Sequence, residues 1–204
     1  QLPEEDTLHH RAQRAPDKTN IALLCYPYAS NLDEFDPLIY ERGVVVVPLR
    51  ERQPLTDFQA VILPGSKNTA ESLRYLHASG LAAEVLQAAA RGVPIFGVCG
   101  GMQLLGRQIA DPHDLESGDM TGLGLLDVTT ALAVGKTTRQ REVLWLEGGP
   151  VRGYEIHHGQ TAAGPLAQAH LADGLGWQQG HICGVYLHGL FENTAYRQYF
   201  LTRH

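Results

Sequence analysis

The chain has 204 residues, of which 44% are apolar, and its 22 acidic and 16 basic side chains give a formal net charge of -6. This length and composition suffice for one α/β domain with a buried core and exclude global disorder. The acidic balance, without a basic cluster, argues against a nucleic-acid partner. No apolar run approaches the ~20 residues of a membrane-spanning helix, so no membrane partner is expected. Three cysteines, sparse and odd in number, indicate a reducing, cytoplasmic setting.

The first 20 residues are polar and charged and contain prolines near both ends, a composition typical of a linker or an extended arm. The chain begins with Gln1 rather than methionine, which suggests a piece of a longer protein. We therefore expect residues 1–20 to be a linker from a preceding domain and residues 21–204 to form the domain itself.

Strand and helix patterns alternate along the first half of this domain. Continuous apolar runs predict buried parallel strands at 21–25, 44–49, 94–98 and from residue 60 into a glycine turn. Helical patterns lie between and after them, at 30–43, 70–91 and 100–109. This alternation predicts a doubly wound, mostly parallel sheet with helices on both faces.

From residue 122 onward the pattern changes to shorter β-like stretches that are broken by glycines. These stretches lie at 123–130, 141–146, 153–159 and 184–191, and a final helix is predicted over 194–203. No second domain, internal repeat or low-complexity tract is evident in the sequence.

One cysteine stands between glycines in "GVCGG" (97–101), where a predicted strand passes into a predicted helix. This is the G-x-nucleophile-x-G spacing of a nucleophile elbow, in which small neighbours let the backbone turn tightly. The helix N-terminus favours a thiolate at Cys99, and the N–H of Gly100 is free to bind an oxyanion. A buried core thiol is the alternative for Cys99, and it is the favoured interpretation for Cys25 and Cys183.

A cysteine nucleophile needs a base that accepts its proton and returns it to the leaving amine. Of the ten histidines, His188 lies where an apolar strand meets a glycine turn, on the sheet edge where open α/β folds place their chemistry. His157 and His158 are competitors, but strand alternation points them to opposite faces, so at most one enters the site. Without a nucleophile at Cys99, His188 would be a packing residue at a strand end.

The stretch "LPGSKNT" (63–69) is a second strand-to-turn glycine motif. If this loop borders Cys99, the N–H of Gly65 or Ser66 completes an oxyanion hole. An ordinary turn between a strand and a helix explains the stretch equally well.

Taken together, these motifs resemble the triad-type glutamine amidotransferases, which hydrolyse the glutamine side-chain amide through a cysteine thioester and pass on the ammonia. The elbow of that family reads C-x-G-x-Q, which "CGGMQ" (99–103) matches. The resemblance implies a flavodoxin-like α/β fold and L-glutamine as the substrate. It also implies a nucleophile, a general base and acid, two oxyanion-hole donors and two contacts to glutamine: Cys99; His188; Gly65 and Gly100; Gln103 and Ser66.

The third member of the triad departs from the family pattern. Most relatives carry glutamate two residues after the histidine, and here that position is Leu190. Glu192 is out of register for the role. We expect His188 to be oriented instead by a backbone carbonyl or by another side chain such as Glu155, because a missing orienter lowers preorganisation without removing the chemistry.

Four motifs narrow the resemblance to the cobyric acid synthase family: "LPGSKNT", "GVCGGMQLLG", "GYEIHHG" and "YLHGLF". "LPEEDTL" and "SNLDEFDPL" extend it over nearly the whole chain. That resemblance implies that the ammonia serves ATP-dependent amidation of corrinoid carboxylates, those of adenosylcobyrinic acid a,c-diamide, in cobalamin biosynthesis.

The same resemblance implies a covalently linked N-terminal synthetase domain that holds the corrinoid acceptor, ATP and Mg²⁺. No G-x-x-x-x-G-K-[ST] loop occurs in this chain. We therefore expect no cofactor in this domain, and no metal, since the histidine and cysteine spacings match no zinc pattern. Two alternatives remain: an amidotransferase subunit acting on a peptidoglycan precursor (lipid II), and a degenerate, non-catalytic interaction domain.

Overall fold

The computed structural model describes residues 13–203, so most of the predicted linker lies outside the described residues. The helices of the described part are α1 Asp36–Ile39, α2 Thr69–Ala78, α3 Leu81–Ala90, α4 Gly100–Leu105 and α5 Thr194–Thr202, with 3-10 turns at Leu32–Phe35, Leu55–Asp57 and Leu190–Glu192. The strands are β1 Thr19–Leu24, β2 Ala29–Ser30, β3 Val44–Leu49, β4 Ala60–Leu63, β5 Gly65–Ser66, β6 Ile95–Val98, β7 Gln108–Ala110, β8 Met120–Thr121, β9 Val128–Trp145, β10 Gly149–Ala163, β11 Gln168–Leu171, β12 Gly176–Gln179, β13 Ile182–Val185 and β14 Leu187–His188.

Five parallel strands form the centre of the sheet, in the spatial order β3-β1-β4-β6-β13. Counted along the chain, this is the order second, first, third, fourth, fifth, which defines a flavodoxin-like sheet. Strands β4 and β6 are buried along their whole length because they are covered on both faces, as their continuous apolar sequences require. The predicted doubly wound parallel sheet is confirmed.

Helices cover both faces of this sheet, as the packing around β6 demonstrates. Phe96 contacts Phe200 of α5, with ring centroids 5.6 Å apart. The next residue, Gly97, faces α4, where a Cβ atom would lie 2.7 Å from the backbone of Gly101 and Met102. Because successive residues of a strand point to opposite faces, α5 and α4 cover opposite faces of the sheet.

Three predicted helices are shorter in the structure than the sequence patterns suggest. The segment 70–91 is divided into α2 and α3 at Gly80, whose φ of 77° lies in the left-handed region. The segment 100–109 stops at Leu105, because Gly106 is extended and the chain then forms β7. The helical structure of segment 30–43 is limited to a 3-10 turn and the single turn α1, which begins at Asp36 and has Pro37 in its first turn.

A long hairpin of β9 and β10 continues the sheet with antiparallel pairing, and β11 and β12 join it to β13. The predicted stretches 141–146 and 153–159 lie within this hairpin, whose strands are 18 and 15 residues long. Much of β9 is exposed on both faces. Its sequence therefore shows no alternation of apolar and polar residues that would have predicted its full length. Residues 123–126 form no strand, because their N–H groups bond to the end of α4 and to Gly106.

The domain begins slightly earlier than predicted. Strand β1 starts at Thr19, and Asn20 is buried and bonds to Gln59, so the last two residues of the predicted linker belong to the sheet. Among the described residues, no helix is both long enough and apolar enough to cross a membrane.

We expect Gly97→Ala to lower the free energy of unfolding by about 1–3 kcal/mol, as overpacking between a strand and a helix does. The added Cβ would meet backbone atoms, which cannot rotate aside as a side chain would. Urea unfolding measures the change. Gly135→Ala is the matched control, since no atom lies within 4 Å of its Cβ position. Equal losses in the two variants would contradict the packing argument.

Candidate active site

Cys99 occupies the tight turn between β6 and α4 with φ 50° and ψ -109°, a conformation that residues with a side chain rarely adopt. The neighbouring glycines allow it. A Cβ on Gly100 would lie 2.7 Å from the Cβ of Ser66, and a Cβ on Gly101 would collide with the carbonyl oxygen of Leu63. The structure therefore contains the strand-to-helix elbow that the glycine pattern predicts.

His188 lies in β14, directly after β13, and β13 pairs with β6. The parallel pairing brings the end of β13 beside the end of β6, where Cys99 begins its turn. The imidazole is buried, with 1% of the residue exposed. Tyr154 stacks on it, with ring centroids 5.1 Å apart and an angle of 13° between the planes.

Glu34 is the side chain that orients His188. Its Oε1 lies 2.9 Å from Nδ1 of the imidazole, and its Oε2 accepts the N–H of Gly189 at 3.1 Å. The carboxylate therefore holds both the ring and the backbone that follows it. Because Nδ1 faces a carboxylate, it carries a proton, and Nε2 is the atom left for proton exchange.

The expectation that Glu155 or a backbone carbonyl orients His188 is wrong. Glu155 accepts a hydrogen bond from Arg139 at 2.9 Å and lies 3.0 Å from Nε2 of His157. Sequence reasoning missed Glu34 because 154 positions separate it from His188. The available signal was a pair of acidic residues between apolar ones in "LDEF" (32–35), a segment already included in the family resemblance.

Three influences set the pKa of His188, one lowering it and two raising it. Burial disfavours the charged imidazole, but the adjacent Cys99 thiol and the Glu34 carboxylate outweigh it and raise the pKa of His188 to about 10. Nε2 is buried and has no hydrogen-bond partner within the described part of the chain. A buried polar atom without a partner is costly, and at a site of this kind it is available to a reacting group.

His157 has both ring nitrogens engaged, in contrast to His188. Nδ1 lies 2.7 Å from the carbonyl oxygen of Gly159, and Nε2 lies 3.0 Å from Glu155 Oε1. Its ring also stacks on Tyr186, with centroids 3.8 Å apart. These contacts fix the ring in the wall of the site and leave no nitrogen to accept a proton from Cys99.

The three cysteines lie in different surroundings. The thiol of Cys99 donates to the carbonyl oxygen of Ile156 at 3.4 Å. Burial raises the pKa of Cys25 to about 11 and that of Cys183 to about 12, so both stay protonated near neutral pH. This agrees with the expectation that Cys25 and Cys183 are packing residues.

A cavity of about 340 Å³ opens at the elbow. Cys99, His188, Ser66 and Gln103 all line it. Gly65 lies at its edge, since a Cβ there would be 3.3 Å from Cε1 of His188. Together with Gly100, which faces Ser66, the structure thus brings all six residues predicted for the site to one place.

Gly65 and Ser66 differ in the direction of their N–H groups. They form β5, which pairs antiparallel with β2, and the next residue, Lys67, donates its N–H to Tyr28 across this pairing at 2.9 Å. Directions alternate along an antiparallel strand, so the N–H of Gly65 points toward β2 and that of Ser66 points away. The Ser66 nitrogen lies 2.8 Å from the Cβ position of Gly100, so Ser66 is the better-placed donor at the elbow.

Gln103 is fixed on both sides of its amide. Its Oε1 accepts from the hydroxyl of Thr69 at 3.1 Å, and its Nε2 donates to the hydroxyl of Tyr186 at 3.2 Å. Tyr186 in turn bonds to the Thr161 hydroxyl at 2.6 Å. The side chain of Gln103 is therefore held in one orientation one helical turn beyond Cys99.

Solved glutamine amidotransferases share this fold. One of them superposes with a TM-score of 0.74 over 89% of this chain and 97% of its own, at 19% identity. PurLQS from Thermotoga maritima superposes with a TM-score of 0.68 over 90% of this chain and 99% of its own, at 16% identity. These likenesses support the flavodoxin-like fold.

Residues 20–196 match the CobB/CobQ-like glutamine amidotransferase domain, and the chain belongs to this family. A cobyric acid synthase from Deinococcus radiodurans is 47% identical over 211 residues, which cover 98% of this chain and 44% of the relative. A cobyric acid synthase from Synechococcus sp. is 40% identical over 98% of this chain and 43% of the relative. The chain thus spans less than half the length of these relatives.

We expect an electrophile that mimics glutamine to modify Cys99 and to spare Cys25 and Cys183. The raised pKa values of the other two thiols keep them unreactive near neutral pH, whereas Cys99 faces the cavity. Peptide mass mapping after limited labelling identifies the modified residue, and prior incubation with glutamine should protect it. Labelling mainly at Cys183 would contradict the assignment of the site.

We expect Glu34→Gln to lower the pKa of His188, because it removes the carboxylate that stabilises the imidazolium while burial remains. NMR titration of the ring proton on Cε1 measures the shift, with Glu155→Gln as the control.

The raised pKa of His188 also makes the stability of the fold depend on pH. Its stabilising contribution is complete below 6.5, the pKa in the unfolded chain, and is lost as pH rises through about 10. The stability difference between wild type and Glu34→Gln should therefore be larger in mild acid than in strong base.

Proposed function

We propose that this chain hydrolyses the side-chain amide of L-glutamine to glutamate and ammonia. The observation that carries the proposal is the buried His188, held by Glu34 through Nδ1, beside a cysteine on a strained elbow. A base with a fixed tautomer next to a thiol is the arrangement that activates a cysteine nucleophile. The family of the chain supplies the class of substrate.

In the first half-reaction, Nε2 of His188 holds the proton that Cys99 has given up, and the Cys99 thiolate attacks the amide carbon of glutamine. The tetrahedral intermediate collapses when the C–N bond breaks, and the proton on Nε2 leaves with the ammonia. In the second half-reaction, His188 accepts a proton from water, whose oxygen attacks the thioester carbon. The C–S bond then breaks, giving glutamate and the free thiol.

The oxyanion of each tetrahedral intermediate needs N–H donors that are already in place. The N–H of Gly100, at the start of α4, is one donor. The alternation along β5 supports Ser66 rather than Gly65 as the second, because the Gly65 N–H points toward β2. Ser66 thereby moves from a predicted glutamine contact to an oxyanion donor, and Gly65 leaves room for the ring of His188.

We further propose that the ammonia serves the amidation of corrinoid carboxylates by an N-terminal synthetase domain. Support comes from relatives that are cobyric acid synthases more than twice as long as this chain. In this scheme residues 1–20 join the two domains, and ATP and Mg²⁺ bind to the synthetase domain, which activates the carboxylate. The reaction belongs in the cytoplasm, where thiols remain reduced.

We expect Cys99→Ala and His188→Asn each to abolish glutamine hydrolysis, since residues that act as one unit do not contribute additively. Circular dichroism checks that both variants remain folded, since His188→Asn also removes a buried contact to Glu34. His157→Asn should cost less, because neither of its ring nitrogens is free. Glutamate release measures the rates. A larger loss of kcat in His157→Asn than in His188→Asn would show that the base is assigned wrongly.

The division of labour between two domains has its own test in the intact protein. Cys99→Ala should still amidate a corrinoid acid when ammonium salt replaces glutamine, because the acceptor chemistry does not use the thiol. Wild-type protein should show faster glutamine turnover when ATP and the corrinoid acid are present. A folded Cys99→Ala protein that is inactive with ammonia would contradict the proposal.

A further inference from the structure

We propose that Asn31 is a second positioning residue for His188, an inference that rests on the proposed function. The oxygen of the Asn31 side-chain amide accepts part of the hydrogen bond that Nδ1 of His188 donates to Glu34. Asn31 lines the same cavity as His188. The bond-making steps of glutamine hydrolysis give its side chain no role of their own, so its contact with the imidazole needs a separate explanation.

The backbone of Asn31 has a conformation that most residues avoid. Its φ of 57° and ψ of 40° lie in the left-handed region, which asparagine, aspartate and glycine adopt most readily. Asn31 follows β2 directly, and its carbonyl oxygen accepts the N–H of Glu34 at 3.1 Å. One tight turn of backbone therefore fixes Asn31 and Glu34 together, both of them beside His188.

The side chain of Asn31 does not make the contact that its position favours. An asparagine directly before a helical turn commonly accepts a backbone N–H of that turn with its side-chain oxygen. Among the described residues, Asn31 makes no such bond with the 3-10 turn that follows it. Its amide is turned instead toward the imidazole, where Nδ2 lies 3.3 Å from Nδ1 of His188. The local cap is given up for a contact with the ring.

Two donors cannot face each other across this contact. Nδ1 of His188 carries a proton, because Oε1 of Glu34 lies 2.9 Å away. An amide NH₂ group directed at an N–H group is repulsive, whereas the amide oxygen in the same place accepts the proton. The two ends of an amide are nearly equal in size, so a half-turn of the side-chain amide of Asn31 exchanges them within the same space. The hydrogen-bonding chemistry therefore places Oδ1 toward the ring.

The Nδ1 proton of His188 is then shared between two acceptors. Glu34 is the stronger one, because it is charged and closer, and the 3.3 Å contact to Asn31 is the weaker branch of a three-centre bond. A single hydrogen bond leaves the ring free to pivot about its acceptor. The second acceptor, together with Tyr154 stacked on the ring, restricts this pivot and keeps Nε2 beside Cys99.

The test compares Asn31→Gly with Asn31→Asp in the intact protein, since both substitutes accept the left-handed backbone. Asn31→Gly removes the acceptor and should lower kcat for glutamine about 3- to 10-fold, with a smaller change in KM. Asn31→Asp keeps an oxygen at the ring and should retain most of the wild-type kcat. Asp173→Gly is the matched control, because Asp173 is an exposed residue outside the cavity with a φ of 58°.

The pKa of His188 provides a second measurement, which needs no activity. Loss of an acceptor for the Nδ1 proton destabilises the imidazolium, so the pKa in Asn31→Gly should fall below the wild-type value of about 10. If the amide nitrogen faced the ring, the same change would remove a repulsive donor and raise the pKa. NMR titration with isotope-labelled histidine measures the difference.

The inference about Asn31 is overturned by either of two results. One is a pKa of His188 that rises or stays unchanged in Asn31→Gly. The other is a kcat in folded Asn31→Asp as low as that in Asn31→Gly, because an oxygen at the ring would then not be what matters. Absence of glutamine hydrolysis in wild type would instead overturn the proposed function, and the comparison of pKa values would still test the contact with His188.

Discussion

Two pieces of backbone pack directly against each other where β6 turns into α4. The elbow glycines make this possible: a Cβ on Gly101 would collide with the Leu63 carbonyl, and one on Gly100 would press on Ser66. Since side chains are excluded from this contact, the loop after β4 lies within hydrogen-bonding range of the elbow. The cavity, the oxyanion donors and the orientation of the Cys99 thiol all depend on that close approach.

The parallel sheet supplies the other groups by bringing strand ends together. Glu34 follows β1, Ser66 follows β4, Cys99 follows β6 and His188 follows β13, and all four strands end at the same edge. Each loop is short enough to place one side chain, and the packed strands fix the positions of the loops. Glu34 then joins the first and last of these strands, because its two oxygens bond to the ring of His188 and to the backbone after it.

Strand β10 forms one wall of the same site, although it lies in the antiparallel part of the sheet. Tyr154 stacks on His188, and the Ile156 carbonyl oxygen accepts a hydrogen bond from the Cys99 thiol. His157 stacks on Tyr186. The register shift between His157 and Gly159 turns the strand at this point, which is how a bulge redirects side chains toward a site. The hairpin thus encloses a nucleophile that the parallel strands position.

The sequence by itself determined the parallel core, the elbow and the pairing of Cys99 with His188, because these depend on local patterns: apolar runs, flanking glycines and a histidine at a strand end. Only the tertiary structure decided which carboxylate orients the histidine. Glu34 and Glu155 are both buried acids, and their roles follow from strand order rather than from spacing. Contacts between distant segments leave no periodicity in the chain, so the complete site emerged only from the folded molecule.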